Sequence, residues 1–424
     1  MEENMADEKT GAPVSGTILV VGGGISGITA ALEAAEVGHE VFIVEKNPYL
    51  GGRVAQLNKY FPKICPPTCG LEINFQRIKK NKNIKWFTLT EVDKIAGGPG
   101  NYDVALKTRP RYVNSKCTCC NKCAEACDAE IANDFNFGMN KRKAAYLPHE
   151  MAFPQRYVID PSIIGTPTAQ KCKDACAYDA VDLEDKEKTF NIKAASVIWA
   201  TGWNPYDATR MDNLSFGKVQ NVITNMMMER LAATNGPTQG KIVRPSDGKE
   251  VNNIAFVQCA GSRDENHLPF CSYICCLASL KQTTYIREAN PESKATIYYI
   301  DLRTPGRYEK FYKKVKADEN VSFVKGKVAR IEEDPATKDV ILTVEDTLSG
   351  KKIEGRFEMA VLATGMEPST ATGKVPGNAR YDENNFVISD EILSTGCVRK
   401  PTDVISSGQT ATGAALKAIQ MVRR

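Results

Sequence analysis

Fourteen cysteines stand in this 424-residue chain, and ten of them fall into two groups whose spacing could hold metal. The first group opens with Cys117-x2-Cys120-x2-Cys123-x3-Cys127. Three thiolates at this spacing wrap one [4Fe-4S] cubane, and the fourth is aimed at a different cluster. Cys172-x3-Cys176 reads as the last two cysteines of a second such run whose first two are missing. One cubane on Cys117, Cys120, Cys123 and Cys176 is therefore expected, with Cys127 and Cys172 too few for another. The alternative is a zinc knuckle on the same thiolates. Cys119 is off register, and Asp128 stands where proline usually follows the fourth cysteine.

The second group is Cys259, Cys271, Cys275 and Cys276. Its position carries the information. Residues 254–258 and 296–301 read as strands and 272–287 as a helix, so the thiols occupy the loop where a nucleotide-binding unit would put its glycines. A Rossmann-like unit without a phosphate loop could present a cluster there; the alternative is a set of buried or disulfide-paired cysteines.

A phosphate loop is found earlier in the chain. Residues 17–45 read as strand, glycine turn, Ala-rich helix and strand, with Gly22-x-Gly24-x-x-Gly27 at the turn. Backbone N–H groups and the helix dipole at such a turn can hold a pyrophosphate, and Glu45 is placed to accept from ribose hydroxyls. The alternative is a purely structural turn. Gly51-Gly52-Arg53 resembles the GG motif of two-dinucleotide-binding flavoproteins, which moves the expectation from NAD to one non-covalent FAD. Strand ends at Ala200-Thr201-Gly202 and Ala363-Thr364-Gly365 resemble the ATG motifs of that superfamily. Asp403-Val404-Ile405-Ser406-Ser407-Gly408-Gln409 resembles a strand segment whose last Asp binds the FAD ribityl chain; Gln409 stands in that place.

These motifs predict an α/β fold: a two-dinucleotide-binding-domain flavoprotein, thioredoxin-reductase-like, with an inserted ferredoxin-like domain. The expected divisions are a flexible tail at 1–16, an FAD-binding domain at 17–110, 191–251 and 359–424, the insert at 111–190, and a second Rossmann-like domain at 252–358. Strands 359–364 and 403–407 are expected to return to the first domain. A content of 42% hydrophobic and 25% charged residues is that of an ordinary globular protein, and 55 basic against 51 acidic residues leave a net charge of only +4. Nothing points to nucleic acid. The acidic, polar start differs from a secretory signal, and no apolar run approaches the ~18 residues of a membrane span. His39, His149 and His267 cluster with no acid-base groups, and the charge run at 77–85 reads as a solvated face.

Gly51-Gly52-Arg53-Val54-Ala55-Gln56-Leu57, Lys141-Arg142-Lys143-Ala144-Ala145-Tyr146-Leu147-Pro148 and the cysteines of 259–276 resemble the heterodisulfide reductase A family, and most of all the A component of the quinone-interacting membrane-bound oxidoreductase complex of sulfate-reducing prokaryotes. The resemblance implies that Cys259, Cys271, Cys275 and Cys276 ligate a [4Fe-4S] cluster beside the FAD, making two [4Fe-4S] clusters in all. Family members usually continue into a C-terminal ferredoxin domain, whereas this sequence stops at Arg424, so electrons are expected to leave through another subunit. The implied partners are a flavin and iron-sulfur subunit together with a membrane haem subunit, and the implied electron exchanger is adenylylsulfate reductase. The implied location is cytoplasmic, at the inner membrane face through those partners.

Cys65-Pro66-Pro67-Thr68-Cys69 stands where the family has a cysteine pair after the GG motif. It supports a competing reading, a stand-alone pyridine-nucleotide-disulfide oxidoreductase with Cys65 and Cys69 as redox pair. The missing glycines at the second site argue against that. A third reading, a scaffold that only kept the fold, leaves the cysteine spacing without a purpose.

Overall fold

The computed structural model describes residues 16–61, 64–389 and 392–422. The expected N-terminal tail lies outside them apart from Gly16. The chain opens with β1 (Ile18–Val21), α1 (Ile25–Glu36), β2 (Val41–Glu45), α2 (Thr68–Lys80) and β3 (Ile84–Thr88). All four residues of β1 are buried, and it sits at the centre of a parallel five-stranded sheet. One face of α1 is alanine, with Ala30, Ala31, Ala34 and Ala35 at 0–1% exposure. Small side chains at helical spacing let the helix lie close to its neighbours.

A meander of β4 (Thr90–Gly98) and β5 (Asn101–Thr108) follows, and the chain then leaves for an excursion. The excursion contains α3 (Lys122–Ala126), the hairpin β6 (Glu130–Ala132) and β7 (Lys141–Lys143), the pair β8 (Ala145–Tyr146) and β9 (Val158–Ile159), and α4 (Pro167–Asp174). It has its own core, including Val113, Tyr157, Ile159, Ala180 and Val181. The chain returns as β10 (Lys188–Ala194), whose Lys188 pairs directly with Thr108, so the insert begins and ends at one rung of an antiparallel ladder. Next, β11 (Ser196–Trp199) joins the first sheet beside β1.

After β12 (Trp203–Pro205) come β13 (Val222–Thr224), α5 (Asn225–Ala232), β14 (Asn253–Ala260), α6 (Cys275–Ala289), β15 (Lys294–Tyr299), α7 (Tyr308–Lys316), β16 (Val321–Glu333), β17 (Val340–Asp346), β18 (Lys352–Phe357) and β19 (Met359–Thr364). The second sheet has seven strands in the order β13-β19-β14-β15-β16-β17-β18. The chain ends with β20 (Met366–Pro368), β21 (Leu393–Ser394) and α8 (Val404–Val422).

Two expectations are corrected here. Residues 359–364 do not return to the first domain: β19 lies parallel between β13 and β14, with Ile254 opposite Met359 and Val222 opposite Ala360. All six of its residues are buried, so it requires a partner on each edge, and the second sheet supplies both. Residue 222, expected in the first domain, goes with it. Nor is 403–407 a strand. The Asp403 carboxylate accepts from the Ser406 N–H at 2.6 Å and starts α8. Ser407, Ala411, Ala415 and Ala418 then form the buried stripe of that helix, which lies against α1. The strand that completes the first sheet is β21, parallel to β11.

Candidate functional site

The first site gathers where β1, β2, β11 and β21 end. Gly22 and Gly27 cross closely: a Cβ on Gly27 would lie 1.8 Å from the Gly22 carbonyl oxygen. Gly24 caps α1 with no side-chain hydrogen bond, so the first N–H groups of the helix stay open to an anion. The GG motif lies against this loop. Gly51 N–H donates to Gly23 O at 2.7 Å, and a Cβ on Gly52 (φ 56°) would lie 2.8 Å from the Gly24 Cα. Glu45 is buried, which pushes its pKa up. Its carboxylate accepts from Gly23 N–H at 2.7 Å and from Asn47 N–H and Nδ2, each at 2.8 Å. A carboxylate offers about four lone-pair positions, so room for a ribose hydroxyl remains. This glycine cradle, open at the helix N-terminus and edged by a carboxylate, fits an FAD pyrophosphate and ribose.

Arg53 is turned elsewhere. It donates to Trp203 O (3.2 Å), Asn204 Oδ1 (2.9 Å) and Gln56 Oε1 (3.1 Å), and burial lowers its pKa. It thereby ties the GG motif to the crossover between the two domains. Thr201 and Gly202 lie in that crossover, where the Ser369 hydroxyl donates to Thr201 Oγ1 at 2.7 Å and the Ser369 N–H to Gly202 O at 3.1 Å.

Gly365, expected to bind the cofactor, packs against the second thiol loop. A Cβ there would lie 2.4 Å from Ser262 Oγ and 2.9 Å from Ser272 Oγ. Gly408 and Gln409 are within α8, not at a strand end. The segment at the strand end is Thr395-Gly396-Cys397, which the sequence reading missed. Gly396 presses on the first turn of α1, where a Cβ would lie 2.2 Å from Ser26 Oγ. The signal was present in Ile392-Leu393-Ser394-Thr395-Gly396, a short apolar run closing on glycine like the other two strand ends.

In the insert, Cys117, Cys120, Cys123 and Cys176 line one cavity of about 20 Å3 together with Tyr157, Val113 and Val181. Burial, then the neighbouring Cys117, Cys176 and Cys120, push the Cys123 thiol up to about 12. The four thiols expected to share a cubane therefore face a common space, and a set of four sulfur donors fits an iron-sulfur cluster. Cys127 and Cys172 are buried beside each other, with Cys172 pushed up to about 12 by burial and by Cys127. Cys119 donates to Gln155 O at 3.1 Å.

The second group converges from three pieces of chain. Cys259 sits at φ 57° in a bulge of β14, where the pairing with β19 shifts register between Val257 and Ala260. Cys271 comes from the loop, and Cys275 and Cys276 open α6. Burial, then Cys276, Cys259 and Cys271, raise the Cys275 thiol well above its ordinary value. The Ser262 and Ser272 hydroxyls close the loop at 2.8 Å, and Ser272 Oγ accepts from Met366 N–H at 2.9 Å. Arg263 reaches the Cys259 thiol and Arg303 the Cys271 thiol. Gln258, next to Cys259, buries both ends of its amide with no partner among the described residues. Four sulfur donors thus lie near one another here, with the Cys275 thiol donating to Thr364 O at 3.7 Å and the Cys276 thiol to Asp301 O at 3.6 Å. Among the described residues no three His, Cys, Asp or Glu side chains meet closely enough to hold a single metal ion.

Cys65 and Cys69 are free thiols, as are the other twelve cysteines. The Tyr60 side chain adjoins both, and burial followed by Cys65 raises its pKa. Pro66, Pro67 and Thr68 between them line a cleft of about 460 Å3 that also touches His149 of the insert and Glu288 of the second domain. His149 stacks on Phe135 at 4.7 Å, and burial lowers its pKa to about 4. His267 pairs with the Tyr206 hydroxyl at 2.8 Å. In the 77–85 run, Arg77 pairs with Glu36 at 2.8 Å and Lys85 with Glu40 at 3.1 Å.

The sequence reading also passed over Glu229 and Arg230 of α5. Glu229 is 2% exposed and accepts from Asn58 N–H (3.0 Å), Gln282 Nε2 (2.7 Å) and Tyr285 OH (3.1 Å) while pairing with the buried Lys281 at 3.0 Å. Arg230 donates to Gln56 O (3.3 Å) and to Asn136 Oδ1 of the insert (2.8 Å). This pair pins all three units together. A Met-Met-Met-Glu-Arg helix gives no local sign of it.

Comparison with known proteins follows the same lines. Residues 17–204 match the family of FAD dependent oxidoreductases. The chain is 38% identical over 422 residues to an iron-sulfur component of the CoB--CoM heterodisulfide reductase of Methanopyrus kandleri, the second of its A type, covering 96% of this chain and 64% of that protein. It is 34% identical over 436 residues to the A component of the H(2):CoB-CoM heterodisulfide,ferredoxin reductase of Methanothermobacter thermautotrophicus, covering 98% and 65%. The chain thus spans just under two thirds of the length of these relatives. Thioredoxin reductases of Lactococcus lactis and T. acidophilum share the fold, with TM-scores of 0.53 and 0.52 at 13% and 14% identity, over 96% and 95% of this chain and 99% and 97% of theirs. The chain is a homologue of the heterodisulfide reductase A component, with the two-dinucleotide-binding fold of an FAD-dependent oxidoreductase, as its motifs implied.

Proposed function

We propose that this homologue of the heterodisulfide reductase A component is an electron-transfer subunit holding one FAD and two [4Fe-4S] clusters. The observation that carries the reading is the placement of four thiols at the carboxyl end of β14, where a second dinucleotide site would need glycines. FAD would exchange electrons in pairs or singly, and the clusters singly. This chain's own part is binding and spacing. Gly22, Gly24 and Gly27 with Glu45 hold the nucleotide, Cys117, Cys120, Cys123 and Cys176 one cluster in a ferredoxin-like insert, and Cys259, Cys271, Cys275 and Cys276 the other.

The finer reading is that of the A component of a quinone-interacting membrane-bound oxidoreductase. In it, the chain works at the cytoplasmic face with a flavin and iron-sulfur subunit plus a membrane haem subunit, passing electrons between menaquinol and adenylylsulfate reductase. In the chain itself no helix of the described residues is long and apolar enough to cross a membrane. The test is anaerobic purification with flavin and iron analysis, EPR, and mixing with NADH or, for the native complex, a menaquinol analogue. About one FAD and eight iron atoms are expected, from four thiolates per cluster. Slow or absent bleaching by NADH is also expected, with fast reduction by quinol in the complex. Four iron atoms, or rapid bleaching by NADH, would sink the reading.

A further inference from the structure

We propose that the basic face formed by Arg303 and helix α7 docks an acidic protein carrying a one-electron centre, at the outer rim of the 259–276 thiol site; this rests on the cluster reading above. Arg303 pairs with Asp301 at 3.1 Å, and residues 301–316 contain six Lys and Arg against Asp301 and Glu309, a net +4 that equals the charge of the whole chain, so everything else sums to zero. The concentration of charge is local, and it is outward. Phe311 and Tyr312 pack against the second core and Val315 is buried, while Arg307, Lys310, Lys313 and Lys314 are exposed. Of these four only Lys313 has an ion-pair partner among the described residues, Glu309 at 3.4 Å.

The face adjoins the thiols. The Cys276 thiol donates to the Asp301 carbonyl at 3.6 Å, and Arg303 pairs with the Asp301 carboxylate at 3.1 Å. Tyr273, 36% exposed, lies two residues from Cys271 and near Tyr308 at the start of α7. A centre bound by these thiols would thus sit behind a rim of arginine and tyrosine, beside a field that draws in acidic surfaces. Complementary charge speeds encounter and fixes orientation more than it adds affinity, which suits a carrier that must leave again. In the transfer one electron crosses, one centre is oxidised by it as the other is reduced, and no bond or proton moves. An anionic membrane surface would also be attracted, but it has no use for a thiol site at the rim.

The experiment uses the chain purified with its cofactors and an acidic flavodoxin as the probe, with association followed by biolayer interferometry from low to high salt. The triple variant R307E/K310E/K314E is expected to lower the association rate at low salt at least ~10-fold and to flatten its salt dependence. The control K79E/K82E, in the last turn of α2 and just beyond it, is expected to change neither. An unchanged rate in the triple variant, an equal loss in the control, or capture of anionic phosphatidylserine vesicles in place of flavodoxin overturns the proposal. Iron content and the EPR spectrum are read on the same samples. If the wild-type chain has no cluster on Cys259, the functional reading fails on that measurement and the docking proposal with it. If both clusters are present and the rates are unmoved, docking alone fails.

Discussion

The β1–α1 and β14–α6 units follow the same path, a buried parallel strand, a turn at its carboxyl end and a helix returning along the sheet, yet they present opposite chemistry. At the first turn there is no side chain to speak of: Gly22, Gly24 and Gly27 leave the first N–H groups of α1 without a side-chain cap. At the second, a bulge at Cys259 and two thiols at the start of α6 fill the equivalent place. Neither helix has a side-chain N-cap. In one case the orphan N–H groups are left for a phosphate, and in the other two buried thiols stand at the positive helix end, where burial holds Cys275 well above its ordinary value and Cys276 up to about 11. The difference teaches that topology chooses where a ligand sits, and a handful of turn residues chooses what it is.

The comparison is broken most completely at Gly27. A Cβ there meets the Gly22 carbonyl at 1.8 Å, so Gly27→Val is expected to abolish flavin binding, with no FAD absorbance in purified protein. Gly24→Asp separates binding from folding, because a Cβ on Gly24 would make only an ordinary contact, 3.8 Å from the Gly52 Cα; a folded chain without flavin is expected. Full flavin in a folded Gly24→Asp variant would falsify the assignment of the loop.

The pin that holds the two units in one frame comes next. Glu229→Ala leaves Lys281 buried without its partner, a loss of about 3–5 kcal/mol, read as a lower Tm. The seam with the insert is expected to be acid-sensitive as well. The folded pKa of His149 is about 4 against an ordinary 6.5, so the unfolded chain takes up a proton that the native one refuses. Stability is therefore whole above pH 6.5 and falls as pH drops towards 4, by roughly 3 kcal/mol at most. His149→Phe, keeping the stack on Phe135, is expected to flatten the Tm profile between those two pH values.

Cys259→Ala sharpens the comparison at the second turn. About half the iron is expected to go while flavin stays, and Cys117→Ala is expected to remove the other half. The smallest effect is expected at Gln409. Held within α8 instead of at a strand end, its replacement by alanine is expected to change FAD affinity less than about twofold, which is under 0.5 kcal/mol. Fluorescence titration of the apoprotein checks it.

What could be read from the sequence alone was whatever is written within a few residues of itself. The cysteine run of 117–127, the glycine turn of 22–27 and the GG pair are local geometries, in which spacing along the chain is spacing in space. The insert was legible for the same reason, as a break in the strand-and-helix rhythm. Membership of a sheet is not local. Met359–Thr364 is a short buried apolar run that suits either domain, and only the free edges of β13 and β14 decided its place. Asp403 and Leu393 exchanged roles because a capped helix start and a two-residue strand leave equally faint traces. The Glu229–Lys281 and Arg230–Asn136 contacts join residues 52 and 94 positions apart, and no periodicity within either segment points to the other. Such pairs exist only once packing has removed water from both partners, so the tertiary structure alone decides them.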